Sequence, residues 1–268
     1  MKKEQISPLR LKYLKKQRFN IFAVHGSRIL LLAAFIALWE LFAKTNVIDA
    51  FLFSSPSRIL KTIKSLITSG EIAGHIGTTL FETVAGFIIA TALGSAIALI
   101  LWWSDTLRKI SEPYVVVLNS LPKIALGPII IVWFGAGKKS IIFMAVIITI
   151  IVTVITMLNG FLATDEGKIK LMRSLGANKF IILRKLVIPY ALPTFTACMK
   201  INVGMSWIGS IMGEYLTSKE GIGYLIVYGG QVFKLDLVMA STAILCVLAA
   251  AMYLVVAVIE KFMLKWQR

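Results

Sequence analysis

Residues 140–163 read SIIFMAVIITIIVTVITMLNGFLA, twenty-four consecutive residues without a charge. A helix needs about 20 apolar residues to cross the roughly 30 Å hydrocarbon core of a bilayer, so this stretch suffices alone. Residues 237–259 and 83–103 are also charge-free. The composition agrees: of 268 residues 58% are apolar and 16% charged, against about 45–50% and about 25% in soluble domains. That is too little charge to clothe a soluble surface. Two Cys, both inside apolar runs, exclude a secreted disulfide scaffold, and 7 Pro with 19 Gly exclude a collagen-like or disordered chain. The chain reads as an all-α integral membrane protein.

Three weaker runs complete the set. Residues 29–43 are apolar apart from Glu40; 113–137 contain Lys123, and 186–213 contain Lys200. Six spans are expected, near 29–44, 78–103, 113–134, 140–163, 186–212 and 237–259. They form a transmembrane domain over 29–260, between a basic segment 1–28 and a tail 261–268. The net charge of +16 would by itself suggest nucleic acid. With both termini on one side, however, that side carries nineteen Lys and Arg and the other eight. By the positive-inside bias both termini are expected in the cytoplasm, and no nucleic-acid partner is expected. Residues 1–28 have a longer basic region than a signal peptide and are expected to be retained. Leu9, Leu11, Leu14 and Phe19 among the basic residues suit a membrane surface, or the segment is a solvated tail.

Between the first two spans, Ser55 and Pro56 mark a helix start. Ile59, Leu60, Ile63, Leu66 and Ile67 then recur at helical spacing, and Gly70 ends the helix. The second span carries Gly86, Ala90, Gly94 and Ala98 at i+4 steps, a stripe that permits close helix approach in lipid, toward another span or a second copy. The third span is interrupted by Pro122, Gly127 and Pro128. Its broken backbone must be satisfied by protein or water. Lys123 beside the break either lines a pathway or snorkels or pairs with a carbonyl. Glu82 and Lys200 are the other candidate pathway residues.

Residues 164–185 form a connection too long for a tight turn. Asp165 and Glu166 suit a helix N-terminus. Ile169, Met172 and Leu175 share a face, Gly176 is a stop, and a second helical piece from 179 leads into Pro189 and Pro193. The punctuation suggests a docking surface rather than a solvated loop. Enzyme signatures are missing. Gly135-Ala136-Gly137-Lys138-Lys139-Ser140 has Val132 where a phosphate loop requires Gly, and Lys139 where it requires Ser or Thr. His25 and His75 stand fifty residues apart with no ligand cluster, and Cys198 and Cys246 read as small hydrophobes. Glu40, Glu82 and Glu214 are too few for the buried acid chain of a proton-coupled carrier.

The loop resembles the EAA loop of ABC-transporter permeases: Glu-Ala-Ala, three residues, Gly, nine residues, aliphatic, one residue, aliphatic-Pro. Gly176, Leu186, Ile188 and Pro189 occupy the last four fixed positions, while the opening triplet reads Lys170-Leu171-Met172. Leu121–Leu126, Trp133-Phe134-Gly135 and Gly221–Ile226 look like the permeases of nitrate, sulfonate, taurine, bicarbonate and thiamine-precursor importers. Where those relatives often carry Arg, this chain has Glu82. The resemblance implies a type I importer permease of the bacterial inner membrane for a small polar solute. It implies a pathway formed by two copies (a homodimer), two cytoplasmic ATPase subunits and an extracytoplasmic binding protein. ATP and Mg²⁺ are then held by the ATPase, and no cofactor or catalytic site is expected in this chain. The segment Asp165, Lys170, Leu171, Met172, Arg173, Ser174, Leu175, Gly176 and Ala177 would seat in the ATPase. Leu171, Met172 and Leu175 would give apolar contact and Lys170 and Arg173 a polar rim, with Pro189 and Pro193 making the fifth span a lever. A standalone secondary transporter or channel is the alternative, and a membrane scaffold is a third reading.

Overall fold

The computed structural model describes residues 8–265, with side chains from Ala23 onward except His25. The expected surface contacts of Leu9, Leu11, Leu14 and Phe19 lie outside the described side chains, and the end of the tail, 266–268, lies outside the described residues. The chain divides into two compact units, one ending at Thr62 and one beginning at Ile63.

In the first unit, α1 runs Pro8–Lys44 without a break, so the basic segment and the first span are one helix. Gly26 weakens a helix by only about 1 kcal/mol relative to Ala, and no Pro follows it to stop the turn. α2, Ala50–Phe53, is capped by Asp49, whose Oδ1 accepts from Phe51 N at 2.7 Å. α3, Pro56–Ser69, starts and stops where its sequence indicates. Ser55 Oγ accepts from Arg58 N at 3.4 Å, and Gly70 follows at φ +78°. Glu40 explains its presence in an apolar run. Its carboxylate accepts from Ser57 N (3.0 Å) and Ser57 Oγ (2.9 Å) while pairing with Lys44 at 3.2 Å. An anion at a helix's first turn satisfies unpaired amides and the positive end of the dipole.

The second unit continues with α4 (Glu71–Trp103), α5 (Asp105–Ser120), a 3₁₀ turn (Lys123–Leu126), α6 (Gly127–Phe134) and α7 (Lys138–Leu162). Then come α8 (Glu166–Ser174), α9 (Lys179–Ile182), a π turn (Leu183–Val187), α10 (Ile188–Thr217), α11 (Ile222–Gln231) and α12 (Leu235–Met263). Among the described residues five helices are long and apolar enough to cross a membrane, six if the bent pair α5/α6 counts as one span. That pair turns the interruption expected in the third span over 113–134 into a sharp bend. The helix begins at Asp105, carries Pro113 inside it, stops at Pro122, and resumes bent by 87°. Pro122 cannot donate to the preceding turn, and Gly127-Pro128 starts the next helix afresh with Pro in its first turn.

Helix α7 is the centre of this unit, packed between α4 and α10. The stripe of the second span faces α7 of the same chain. A Cβ on Gly86 would stand 2.5 Å from Ala145 Cβ, and one on Gly94 2.6 Å from Thr153 Cβ; Ala90 and Ala98 are fully buried. From the other side, a Cβ on Gly209 of α10 would overlap Ala145 Cα, and one on Gly213 would stand 2.9 Å from Ile141 Cα. Hydroxyls and an amide stitch the contact. Thr83 and Ser210 share a hydrogen bond at 2.6 Å and Thr149 and Ser206 one at 3.2 Å. Asn202 of α10 donates to Thr91 Oγ1 (2.8 Å) and accepts from Thr153 Oγ1 (3.2 Å), joining all three helices. Small residues for approach and polar side chains for attachment are what helices in lipid rely on, since apolar surface gains nothing there by association.

The two glycine contacts differ in kind, and so do their predicted responses. Gly86→Ala is expected to destabilise by about 1–3 kcal/mol through overpacking, and Ala145→Gly in the same chain to restore part of that loss. Gly209→Ala meets backbone, so Ala145→Gly should not rescue it. Thermal unfolding of the detergent-purified single and double variants decides this; equal rescue of both would refute the three-helix contact.

Candidate functional site

At one end of the second unit, α8 is closed at both termini. Asp165 Oδ1 accepts from Lys168 N at 3.1 Å. Gly176, at φ +82°, lets Gly176 N donate to Arg173 O and Ala177 N to Met172 O, both 2.9 Å, so the last carbonyls are satisfied. Asn178 Oδ1 then caps α9 through Ile181 N at 2.9 Å. No residue of α8 is buried. Leu171 and Leu175 are 61% and 77% exposed, whereas Ile169, Met172 and Ala177 pack against the core around Ile182, Leu183 and Val187. This revises the expected face: Met172 anchors the loop, and Leu171 and Leu175 point outward. Ser174 Oγ returns to Lys170 O at 3.1 Å.

The loop is also tied to α4. Lys179 Nζ donates to Trp103 O at 2.6 Å and lies over the rings of Trp102 (5.5 Å) and Trp103 (5.4 Å). Beyond it the π turn carries Ile188 N to Leu183 O, so the helix runs on through Pro189, and Pro193 lies inside α10. Residues Lys179–Thr217 thus form one 39-residue rod.

The bent arm is open. α5 buries no residue, and Tyr114, Val116 and Val117 are each at least 60% exposed. At the bend Lys123 Nζ donates to Asn119 O at 3.0 Å, satisfying a carbonyl of the helix end ahead of Pro122. A Cβ on Gly127 would overlap the end of Leu216. Lys200 belongs elsewhere: its Nζ is 2.5 Å from Glu260 Oε2 of α12 and 6.0 Å from the Tyr253 ring centroid. The pair ties α10 to the end of α12.

At the opposite end from α8, two acids meet. Glu82 of α4 is fully buried and Glu214 of α10 is 1% exposed; apart from each other, both oxygens of Glu82 and Oε1 of Glu214 have no hydrogen-bond partner. The two carboxyl groups face each other, with Lys138 the cation in electrostatic range. Above them the first amides of α11 are taken up one by one. Gly221 N donates to His75 Nδ1 (3.0 Å), Ile222 N to Thr79 Oγ1 (2.8 Å) and Gly223 N to Glu214 Oε2 (2.5 Å). Gly221 sits at φ +109°, and a Cβ there or on Gly223 would strike the Glu214 carboxyl group at 2.5–2.7 Å. The Gly221-Ile222-Gly223 run is therefore shaped by Glu214, which the sequence reading left outside its candidate set, as it did His75 and Thr79. The glycine pair was the available signal. Glu82 faces this buried cradle.

Residues 86–266 match the family described as binding-protein-dependent transport system inner membrane component. Over 239 residues, 89% of this chain and 87% of the relative, the sequence is 28% identical to a Bacillus subtilis protein named as an aliphatic sulfonates transport permease, SsuC. It is 26% identical to ThiX of Halalkalibacterium halodurans, named as a formylaminopyrimidine transport permease, over 87% of this chain and 92% of that one. The fold matches a chain of the inward-facing MetNI methionine ABC transporter with TM-score 0.64 and 19% identity, covering 72% of this chain and 95% of that one.

The cradle predicts opposite effects for its two acids. Glu82→Gln replaces one of two facing carboxyl groups by an amide that can donate to the other, and is expected to leave the unfolding temperature of the purified protein equal or higher. Glu214→Gln weakens the acceptor that holds Gly223 N, at a cost of about 1–3 kcal/mol, and should lower it. Equal destabilisation by both would mean that the Glu82 carboxyl group itself is needed for the packing.

Proposed function

The chain belongs to the family of binding-protein-dependent transport system inner membrane components, and from that premise we propose that α8 is the part through which a cytoplasmic ATPase drives it. As a permease subunit of a bacterial ABC importer, embedded in the inner membrane by several apolar helices, the chain transports. The ATP and Mg²⁺ that power it are held by two partner ATPase subunits. The observation that carries the reading is a short helix, capped at both ends and anchored from beneath by Ile169 and Met172, that turns Leu171 and Leu175 outward. An exposed apolar pair on a rigid helix, rimmed by Lys170 and Arg173, suits a groove in a partner.

The nineteen-to-eight bias of basic residues places α8 and both termini in the cytoplasm. ATP-driven closure of the ATPase pair then displaces α8, and the continuous rod from Lys179 carries that displacement inward, with Pro189 and Pro193 inside a stiff lever. The uncovered α5/α6 arm supports a pathway built with a second copy of this chain. The cargo is a small polar solute handed over by an extracytoplasmic binding protein, a class consistent with the names of the relatives. Glu82, being buried, gives no reason to favour or exclude an anion.

Two contrasts test the coupling. A Cβ on Gly176 has open space, so the obstacle to a side chain is the left-handed backbone. Gly176→Val is expected to cut recovery of the co-expressed ATPase about tenfold, and Gly176→Asn much less. Leu171→Asp should abolish ATPase recovery with the unfolding temperature unchanged, whereas Met172→Asp should lower that temperature. Wild-type ATPase recovery and stimulated hydrolysis in both Gly176→Val and Leu171→Asp would sink the assignment.

A further inference from the structure

Beside α8 lies a second feature, which shares only Lys170 and Arg173 with the proposed ATPase contact. A cleft of about 440 Å³ opens between the end of α4, the start of α5 and the inner flank of α8. Its walls hold five basic side chains, Arg108, Lys109, Lys170, Arg173 and Lys179, against two acidic ones, Asp105 and Glu166, an excess of three positive charges. Asp105 pairs with Arg108 at 3.0 Å and Glu166 with Lys170 at 3.9 Å. Two polar atoms of the wall are buried without a hydrogen-bond partner: Arg108 Nε and the hydroxyl of Thr164, a residue 3% exposed. A donor nitrogen and a hydroxyl left so, in a basic cleft, call for an oxyanion.

Two neighbouring features specify the source of that anion. Trp102 and Trp103 end α4 at the mouth of the cleft, where indole rings mark the membrane–water boundary. Through Arg108 and Leu162 the cleft adjoins a mostly apolar groove of about 220 Å³, walled by Leu101, Val115, Val116 and Leu158 of α4, α5 and α7, with Glu112 and Asn159 the polar residues on its lining. Polar cleft and apolar groove meet at one arginine, as a headgroup and an acyl chain meet at a phosphate. We propose that this composite is a binding site for an anionic phospholipid, its phosphate held by Arg108, Lys109 and the Thr164 hydroxyl and one acyl chain in the groove. Basic pockets between helices at the membrane surface recognise lipid phosphates in this way. The site rests on the chain being membrane-embedded and is separable from ATPase docking, because its phosphate contacts Arg108, Lys109 and Thr164 lie outside α8 and Leu171 and Leu175 do not line it.

The test uses the whole importer complex in phosphatidylcholine nanodiscs doped with a minor fraction of phosphatidylglycerol, with retained lipid counted by native mass spectrometry. The wild type should keep phosphatidylglycerol against the excess of neutral lipid. Arg108→Gln with Lys109→Gln should retain about 25-fold less, about fivefold for each cation. Asp105→Asn should retain more, an increase that misfolding cannot mimic. Equal retention in all three overturns the proposal. Displacement of the lipid by millimolar inorganic phosphate, with no difference between the two lipids, would assign the cleft to a soluble phosphate instead. Loss of the ATPase from the double variant with phosphatidylglycerol still bound would assign it to the ATPase contact.

Discussion

Everything in the second unit depends on how closely three backbones approach at Ala145. Gly86 on one side and Gly209 on the other leave no room for a further methyl group, and Asn202, Thr91 and Thr153 lock the same three helices deeper in the bundle. In water such a contact is one of many held by apolar burial. In lipid, where side chains gain nothing by leaving an apolar solvent, it is the contact itself that stabilises. Outside it, α5 and α8 bury no residue within the single chain.

The spans were legible because the bilayer imposes a length and excludes charge, two properties written locally in the sequence. The same holds for α3, whose Ser55, Pro56 and Gly70 act within a single turn. The bend at Pro122 was visible as an interruption, but its 87° angle follows from packing that the local sequence does not record. The merger of the basic segment into α1 was missed for the converse reason: charge marked a boundary in environment, and the backbone has no boundary there.

At the loop, Asp165 and Gly176 could be read from chemistry alone, since a cap and a left-handed stop are local. Which of Leu171, Met172 and Leu175 faces outward could not, because a helix with apolar residues at 169, 171, 172 and 175 offers more than one apolar side. The core around Ile182 and Val187 selects Ile169 and Met172. The acid cradle was still less legible. Glu82 and Glu214 are 132 positions apart, and only the three-helix contact brings their carboxyl groups together. Lys123 and Lys200, alike on paper as single charges in apolar runs, separate once their partners are known: a carbonyl at a break for one, a carboxylate of α12 for the other.

The π turn at Leu183–Val187 decides how these two ends communicate. In a regular α-helix Pro189 would leave the carbonyl of Lys185 without a donor and push against the preceding turn. Widening one turn moves the bond of Ile188 N to Leu183 O and lets the helix continue instead of breaking. The rod from Lys179 to Thr217 therefore rises about 58 Å at 1.5 Å per residue, roughly twice the hydrocarbon thickness. One end is fixed by Lys179 to Trp103 and the other holds α11 through Glu214. In the proposed coupling, a displacement at α8 meets no helix break at Pro189. Sliding of α10 along α7 is opposed where Gly209 abuts Ala145, so the proposal has α4, α7 and α10 move together.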